Sequence, residues 1–261
     1  MLRRLLDTVS QYAWLIGGMA LLLAVYLLPP DTSLSEVRRQ GLLSACLPVT
    51  RPPLVTADEA EPGLEVELLQ MIAEEIGVRF RPVTVPAMGE DFDLSLWRIS
   101  RAQCSVVGGG TLDTAATRAF LDVTPPFGET GWVVLSRAAG ALQSGATVAV
   151  LANVPGADRL GLSRFLRGQG VTPQLVRSPD DLATAIADGS ADAGIADALY
   201  AHALAREAGL VMTDLPPPLG HDALVFGLWK GDLTLKRAIV AALARIRDDG
   251  RLNDLTVKYL D

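Results

Sequence analysis

The chain has 261 residues, a formal net charge of −7, and 49% hydrophobic residues against 20% charged ones. This length allows one large domain or two lobes with a substantial core. The acidic balance argues against nucleic-acid binding, which needs a basic face. Two cysteines and two histidines form no metal-ligand set at a recognisable spacing, so no metal or other cofactor is expected.

The first predicted element is a membrane helix near the N-terminus. Arg3 and Arg4 precede an uncharged run over residues 12–28, YAWLIGGMALLLAVYLL. At ~1.5 Å per residue this run gives a helix of about 25 Å, near the lower limit for crossing a bilayer. The arginines predict a cytoplasmic N-terminus, with the residues after the run on the far side of the membrane. A cleaved signal peptide is the alternative; the sequence shows no convincing A-x-A site and no lipid-accepting cysteine there, which favours an uncleaved anchor over residues 1–30.

Beyond a linker at residues 31–40, predicted strands and helices alternate. The first series is a strand, an amphipathic helix, a second strand and a further helix, at residues 42–48, 64–76, 78–85 and 94–99. The later series alternates strands and helices at residues 147–151, 157–167, 173–176, 179–188, 191–195 and 198–208. This alternation argues for parallel sheets in α/β layers.

The stretch from Gln103 to Phe127, QCSVVGGGTLDTAATRAFLDVTPPF, is predicted as a buried strand, a turn of three glycines and a helix. The helix is expected to begin through Thr111, Asp113 or Thr114. Such a turn leaves backbone N–H groups pointing into open space, ready for an anion or a polar ligand. On its own the stretch favours an ordinary βα turn, and the rest of the chain decides whether it forms a site.

The order of elements after the anchor resembles that of bacterial family 3 solute-binding proteins, the periplasmic amino-acid-binding type. The similarity covers residues 34–260 and rests on LLSACLPVTRPPL with GLEVELLQMIAEEIGV, on GGGTLDTAATRAFLDVTPPF, on DAGIAD, and on ALVFGLWKGD with the closing helices. It implies an α/β, two-lobe periplasmic-binding-protein-like fold (type II) preceded by one transmembrane helix. Lobe one would comprise residues 41–135 and 225–261, and lobe two residues 136–224. A ligand would bind in the cleft, which closes by a hinge motion.

The resemblance also implies residues for the ligand. In the family an arginine at the start of the helix after the glycine turn holds the ligand's carboxylate. The matching position is Thr117, with Arg118 beside it. Since one helical step rotates a side chain by roughly 100°, Arg118 either reaches the cleft through a local backbone shift or is an exposed surface arginine. The aspartate that meets the ligand's amino group matches Asp197, which could instead cap the following helix.

Further ligand contacts are expected where the chain departs from the family. The aromatic residue before the double proline is replaced by Arg51, which is either an anion contact or an exposed loop arginine. The anion turn of the second lobe is replaced by a segment beginning at Asn153. The N–H groups of Gly109, Gly110 and Thr111 complete the predicted site. These replacements weaken the case for a standard α-amino acid.

Cys46 and Cys104 fall on strands expected to be neighbours in lobe one. A cysteine pair at these two places also occurs in some relatives, including the accessory protein of periplasmic methanol oxidation. Because the compartment beyond the membrane is oxidising, a disulfide is expected if the Cα atoms lie within ~7 Å. Two separate buried thiols are the alternative.

The sequence therefore predicts a non-enzymatic, membrane-anchored periplasmic domain that captures a small polar, amino-acid-like solute for an ABC-type importer. The alternative is an accessory subunit of a respiratory, photosynthetic or dehydrogenase complex that kept the fold and lost the ligand. Both hypotheses imply a single pass through the inner membrane and an integral membrane partner. An enzyme is disfavoured because the carboxylates of Asp113 and Glu129 lack an evident catalytic partner.

Overall fold

The computed structural model describes residues 12–15, 17–23, 31–90, 94–151 and 157–260. The chain divides into two units, Met1–Thr32 and Ser33–Asp261. In the first unit, residues 12–15 and 17–23 are helical (α1), and large apolar side chains such as Trp14 and Leu15 are exposed. None of the described helices combines the length and the apolar character that a membrane crossing requires. The other residues of the predicted anchor lie outside the described ranges.

The second unit alternates strands and helices, as predicted. In chain order its elements are α2 (Ser33–Gln40), β1 (Leu42–Leu47), α3 (Leu64–Ile76), β2 (Arg79–Thr84), α4 (Ala87–Glu90), a 3₁₀ helix (Leu94–Trp97), β3 (Val106–Val107), α5 (Ala115–Phe120), β4 (Leu121–Val123), β5 (Gly128–Thr130), β6 (Trp132–Ser136), β7 (Thr147–Leu151), α6 (Arg159–Gln169), β8 (Thr172–Val176), α7 (Pro179–Asp188), β9 (Ala193–Asp197), α8 (Ala198–Ala208), β10 (Val211–Asp214), β11 (Asp222–Leu224), β12 (Gly227–Trp229), α9 (Leu233–Asp248) and α10 (Arg251–Leu260).

The first lobe is built on a five-stranded sheet in the order β2-β1-β3-β12-β4. Strand β1 pairs in parallel with β2 and β3, whereas β12 returns from the end of the chain and pairs antiparallel with β3 and β4. Helices α3 and α9 pack together and bury Leu68, Ile72 and Ile239 completely. Because α3 repeats its apolar residues at helical spacing, one face of it can join this core.

The second lobe is built on a five-stranded sheet in the order β10-β6-β9-β7-β8. Alternate residues of β6 enter different apolar clusters: Trp132 packs with Val150 and Ile195, and Val133 packs with Leu182. Since successive side chains of a strand point to opposite faces, this alternation shows that both faces of the sheet are buried. The run Trp132-Val-Val-Leu135 is apolar throughout for this reason.

Strands β5 and β11 lie between the two lobes and pair antiparallel, with Thr130 opposite Asp222. Strand β6 belongs to the sheet of the second lobe. The chain therefore leaves the first lobe before residue 132, and not at residue 135, where the sequence placed the boundary.

The predicted disulfide between Cys46 and Cys104 is confirmed, with a Cα–Cα distance of 5.5 Å. It joins β1 to the segment that leads into β3, and it is buried with Met88 and Trp97. Because β1 and β3 are already neighbours in the sheet, the bond fastens the end of β1 to the residues just before β3.

The two lobes are in direct contact. Leu199, in the first turn of α8 in lobe two, is buried in the apolar cluster of lobe one. Ala157, which precedes α6, packs against the same cluster, and α8 contacts α10. The structure therefore represents a closed arrangement of the lobes.

Candidate functional site

The three-glycine turn after β3 is occupied by two charged side chains of the chain itself. The carboxylate of Glu65, the second residue of α3, accepts hydrogen bonds from the N–H groups of Gly109 and Gly110, the latter at 2.7 Å. Nη1 of Arg51 donates to the carbonyl oxygens of the same two glycines, at 3.1 and 3.3 Å. A buried acid and a buried base are thus connected through the same peptide groups.

This arrangement explains why the turn is made of glycines. Gly109 and Gly110 have φ angles of +74° and +78°, a region that other residues rarely adopt. A Cβ atom on Gly110 would lie 2.5 Å from Cζ of Arg51, and one on Gly108 would lie 2.8 Å from Oε2 of Glu65. The glycines are required because both charged side chains approach the backbone closely.

The predicted anion site at this turn is therefore filled from within the chain. The N–H groups of Gly109 and Gly110 bind Glu65 instead of facing open space. Thr111 is buried; its hydroxyl donates to the Gly108 carbonyl at 3.0 Å, and its own carbonyl accepts the N–H of Val225 at 3.0 Å. The turn does bind a carboxylate, as its geometry predicts, but the carboxylate belongs to α3.

Glu65 is fully enclosed. Burial raises the pKa of its carboxyl to about 7, while the two N–H groups of the glycine turn and the charge of Arg51 act in the opposite direction. Burial dominates because a carboxylate loses much of its hydration in the interior. Glu65 therefore titrates near neutral pH.

Arg51 of lobe one and Asp197 of lobe two are both buried where the lobes are in contact, a region called here the lobe junction. Their exposed fractions are 4% and 1%. Burial raises the pKa of Asp197, whereas the charge of Arg51 and the hydrogen bond from the N–H of Leu199 oppose that shift. Asp197 also caps α8, since its Oδ1 accepts the N–H of Leu199 at 2.9 Å. Asp197 therefore caps α8 and is also influenced by the charge of Arg51 in the other lobe.

Further acidic groups surround the junction. Burial raises the pKa of Tyr200, and the charge of Arg51 opposes this shift. Asp222 has its pKa raised to about 6, first by burial and then by the charges of Asp197 and Asp158. The carboxyl groups of Asp197 and Asp222 at this junction therefore lose their protons at a higher pH than carboxyl groups usually do.

Some buried donors at or near the junction have no acceptor in the described part of the chain. These are Nε and Nη2 of Arg51 and the indole Nε1 of Trp132. A buried donor without a partner costs ~1–3 kcal/mol, and buried polar groups are nearly always paired. An acceptor from outside the chain, either solute or water, would remove this cost.

The other predicted contact residues lie elsewhere. The side chain of Arg118 is 61% exposed and forms a two-pronged ion pair with Asp113, at 2.5 and 2.7 Å. Thr117 is buried in the first turns of α5, where its N–H binds the hydroxyl of the N-cap Thr114 at 3.1 Å. Asn153 lies outside the described residues. The structure thus buries Arg51 and Asp197 at the lobe junction and leaves Arg118 at the surface.

A cavity of about 950 Å³ lies between the lobes; it is lined by residues that flank Arg51 in sequence, but not by Arg51 or Asp197. Lobe one contributes Thr50 and Pro52, which flank Arg51 in sequence, together with Tyr259; lobe two contributes Tyr200 and Arg206 of α8. This volume lies in the range of small-molecule sites. Tyr200 connects the cavity with the buried charges, because it lines the cavity and is affected by the charge of Arg51.

Glu65, Tyr200 and Asp222 were not identified from the sequence. For Glu65 a signal was present: it precedes Leu68 and Leu69 by three and four residues, and residues at this spacing share one face of a helix. The apolar periodicity of α3 therefore already placed this acid on the buried face. Within the described ranges, no group of His, Cys, Asp and Glu side chains has the makings of a metal site.

Comparisons with known proteins agree with this fold. The family model for bacterial extracellular solute-binding proteins, family 3, matches residues 43–261. A sequence search against curated proteins gave no match.

Many solved structures are similar in fold. An ancestral cationic amino acid solute binding protein has 20% identity and a TM-score of 0.69, over 88% of this chain and 100% of that one. An ABC uptake transporter substrate binding protein from Streptococcus pneumoniae with bound histidine has 17% identity and a TM-score of 0.68, over 88% and 96%. An ancestral amino acid-binding protein described as a precursor of cyclohexadienyl dehydratase has 19% identity and a TM-score of 0.65, over 88% and 100%. At such identities the likeness concerns the fold.

Proposed function

Since the chain belongs to family 3 of the bacterial extracellular solute-binding proteins, we propose that it captures a small polar solute between its two lobes, without catalysing a reaction. The observation that carries the proposal is the lobe junction. There Arg51 and Asp197 are buried from opposite lobes, donors of Arg51 have no acceptor within the described chain, and a cavity of about 950 Å³ lies alongside. Such a junction suits a solute that bridges the lobes.

The proposal includes delivery of the solute to an ABC-type importer in the inner membrane. A structural relative is a substrate binding protein of an ABC uptake transporter with bound histidine, which supports this class of partner. The uncharged run at residues 12–28 and the exposed apolar side chains of α1 support a membrane anchor, with the remaining domain in the periplasm. Fractionation of membranes before and after high-salt and detergent washes tests the anchor: release by salt alone would contradict it.

A thermal-melting screen of the full chain in mild detergent tests solute capture. The panel comprises amino acids, polyamines and small organic acids, and a bound solute should raise the melting temperature in proportion to its concentration. Asp197→Ser should abolish that rise while keeping a residue that can cap α8. The matched control is Asp192→Ser, which removes an exposed carboxylate that also accepts a backbone N–H, that of Thr147. A flat response across the panel would count heavily against solute capture.

One observation favours a second function, that of an accessory subunit without a solute. The glycine turn, where the sequence predicted ligand contacts, is already satisfied by Glu65 and Arg51. Purification in gentle detergent separates the two functions. Recovery of an importer permease with the chain supports solute delivery, whereas recovery of a respiratory, photosynthetic or dehydrogenase complex supports the accessory role.

A further inference from the structure

Arg51 is held in the lobe junction as a bound ligand would be. We propose that its guanidinium is the resident cation of this site: it fills a cation-binding cage that the chain builds for it. Solutes with a cationic group are therefore excluded from the cage, and the accepted solute presents acceptor oxygens to Arg51, as a small carboxylate does. The part of this inference that concerns the solute rests on the proposed function, whereas the part that concerns the cage does not.

The cage consists of two carbonyl acceptors that contact the guanidinium and of two buried carboxyl groups that interact with its charge. The carbonyl oxygens of Gly109 and Gly110 accept hydrogen bonds from Nη1. Glu65 and Asp197 contribute carboxyl groups whose charged forms are stabilised by Arg51. Paired carbonyl oxygens and nearby carboxylates are the surroundings in which a buried guanidinium is stable, because its charge and its donors are both compensated.

The fit of Arg51 to the cage is close. A Cβ atom built on Gly110 would lie 2.5 Å from Cζ, 2.6 Å from Nη1 and 2.8 Å from Nε of Arg51. The guanidinium plane is therefore in contact with the bare backbone of this glycine, and a side chain at that position would displace it. A second cation cannot share this space, because the volume is filled and the two like charges would repel at short range.

The remaining donors of Arg51 define what an incoming solute must provide. Nε and Nη2 are buried and lack an acceptor among the described residues. Adjacent N–H groups of a guanidinium match the two oxygens of a carboxylate. A solute that offers a carboxylate to Arg51 satisfies these donors, whereas an ammonium group brings only more donors.

The cage is tested by removing its occupant and supplying it again as a free ion. Arg51→Ala is melted alone and with 1–10 mM methylguanidinium chloride, at ionic strength matched with sodium chloride. Loss of the buried, charge-assisted hydrogen bonds should lower the melting temperature by roughly 3–12 °C. Methylguanidinium should restore at least half of that loss, and it should leave the unsubstituted chain unchanged because the cage is full.

The matched control is Arg118→Ala, which removes an arginine that is exposed and paired on the surface. Its melting temperature should not respond to methylguanidinium. If Arg51→Ala does not fold, its refolding yield with and without methylguanidinium gives the same information, and Arg51→Lys provides a folded variant that keeps the charge. A folded Arg51→Ala that ignores methylguanidinium, or a refolding yield that it does not improve, would overturn the cage.

The solute arm uses the unsubstituted chain with acetate, succinate, putrescine and agmatine as probes. The two carboxylates should raise the melting temperature, and putrescine and agmatine, which are cations without a carboxylate, should not. Stabilisation by putrescine or agmatine would overturn the exclusion of cations. If no probe changes the melting temperature but methylguanidinium restores that of Arg51→Ala, the cage is supported and solute capture is contradicted. Failure of the cage and failure of solute capture are therefore distinguishable.

Discussion

The buried carboxyl of Glu65 predicts a loss of stability as the pH rises through neutrality. In the folded chain burial raises the pKa of this group from 4.5 to about 7. Between these values the unfolded chain has released the proton and the folded chain still holds it. The free energy of unfolding therefore falls with rising pH over this window.

The size of this effect follows from the pKa values. A tenfold change in a protonation equilibrium corresponds to ~1.4 kcal/mol, so the rise to about 7 corresponds to about 3 kcal/mol in total. Most of this change falls between pH 5 and pH 8, because the pKa of the folded chain lies within that range. Glu65→Gln removes the titration while keeping the shape of the side chain.

Urea unfolding of the oxidised chain at pH 5, 6, 7 and 8 measures the effect. Glu65→Gln should differ least from the unsubstituted chain at pH 5, because the protonated carboxyl, like an amide, has a single carbonyl oxygen as its strong acceptor, and its stability should decline less with pH. Glu67→Gln is the control. Although partial burial acts in the opposite direction, the pKa of Glu67 is lowered by hydrogen bonds from Lys258 and Tyr259. It therefore titrates below this window. Parallel stability curves for the unsubstituted chain and Glu65→Gln would refute the reasoning.

Three further predictions concern the same lobe. Gly110→Ala should lower the free energy of unfolding by at least ~2 kcal/mol, because its φ is positive and its Cβ would collide with Arg51. The control Gly140→Ala, with φ +80° and open space around it, should lower the free energy of unfolding by only ~1–2 kcal/mol. Equal decreases for the two variants in urea titrations would contradict the packing argument. Reduction of the disulfide between Cys46 and Cys104, which are 58 residues apart, should lower the free energy of unfolding by about 4 kcal/mol, as measured by urea unfolding with and without reductant. An intact mass that shows two free thiols before reduction would contradict this prediction. Arg118→Ala should leave both the urea midpoint and any solute response unchanged, because its ion pair is exposed; loss of the solute response would restore Arg118 to the site.

Much of the fold could be predicted from local pattern. Helix α3 has the bounds that its apolar periodicity predicts, Leu64–Ile76, and Gly77 ends it in the left-handed conformation. The disulfide followed from two cysteines on strands that the family fold makes neighbours. These features depend on short-range periodicity or on strand order, and a single sequence contains both kinds of information.

The site could not be predicted to the same extent, because its charges are buried against expectation. Arginine and glutamate are almost never fully enclosed unless they are paired, so a loop arginine and an acid in the first turn of a helix are normally placed in solvent. Arg51 and Glu65 are enclosed because the glycine turn, 44–59 residues away in sequence, supplies their hydrogen bonds. For Arg118 the sequence left a cleft role and a surface role open, because it lies next to the family's arginine position; the side chain pairs locally with Asp113 and is exposed.

The burial of Leu199 against lobe one and the attraction between Arg51 and Asp197 have a consequence for the population of open and closed forms. Arg51 is held within lobe one by Gly109 and Gly110, whereas Asp197 and Leu199 approach from lobe two. Opening would separate opposite charges and expose Leu199, so the chain favours closure before any solute arrives. A solute then binds a form that is already populated, which improves its apparent affinity. The disadvantage is that the shape of the chain reports poorly on whether a solute is bound. A membrane partner that recognises the closed form would bind nearly the same shape with and without a solute.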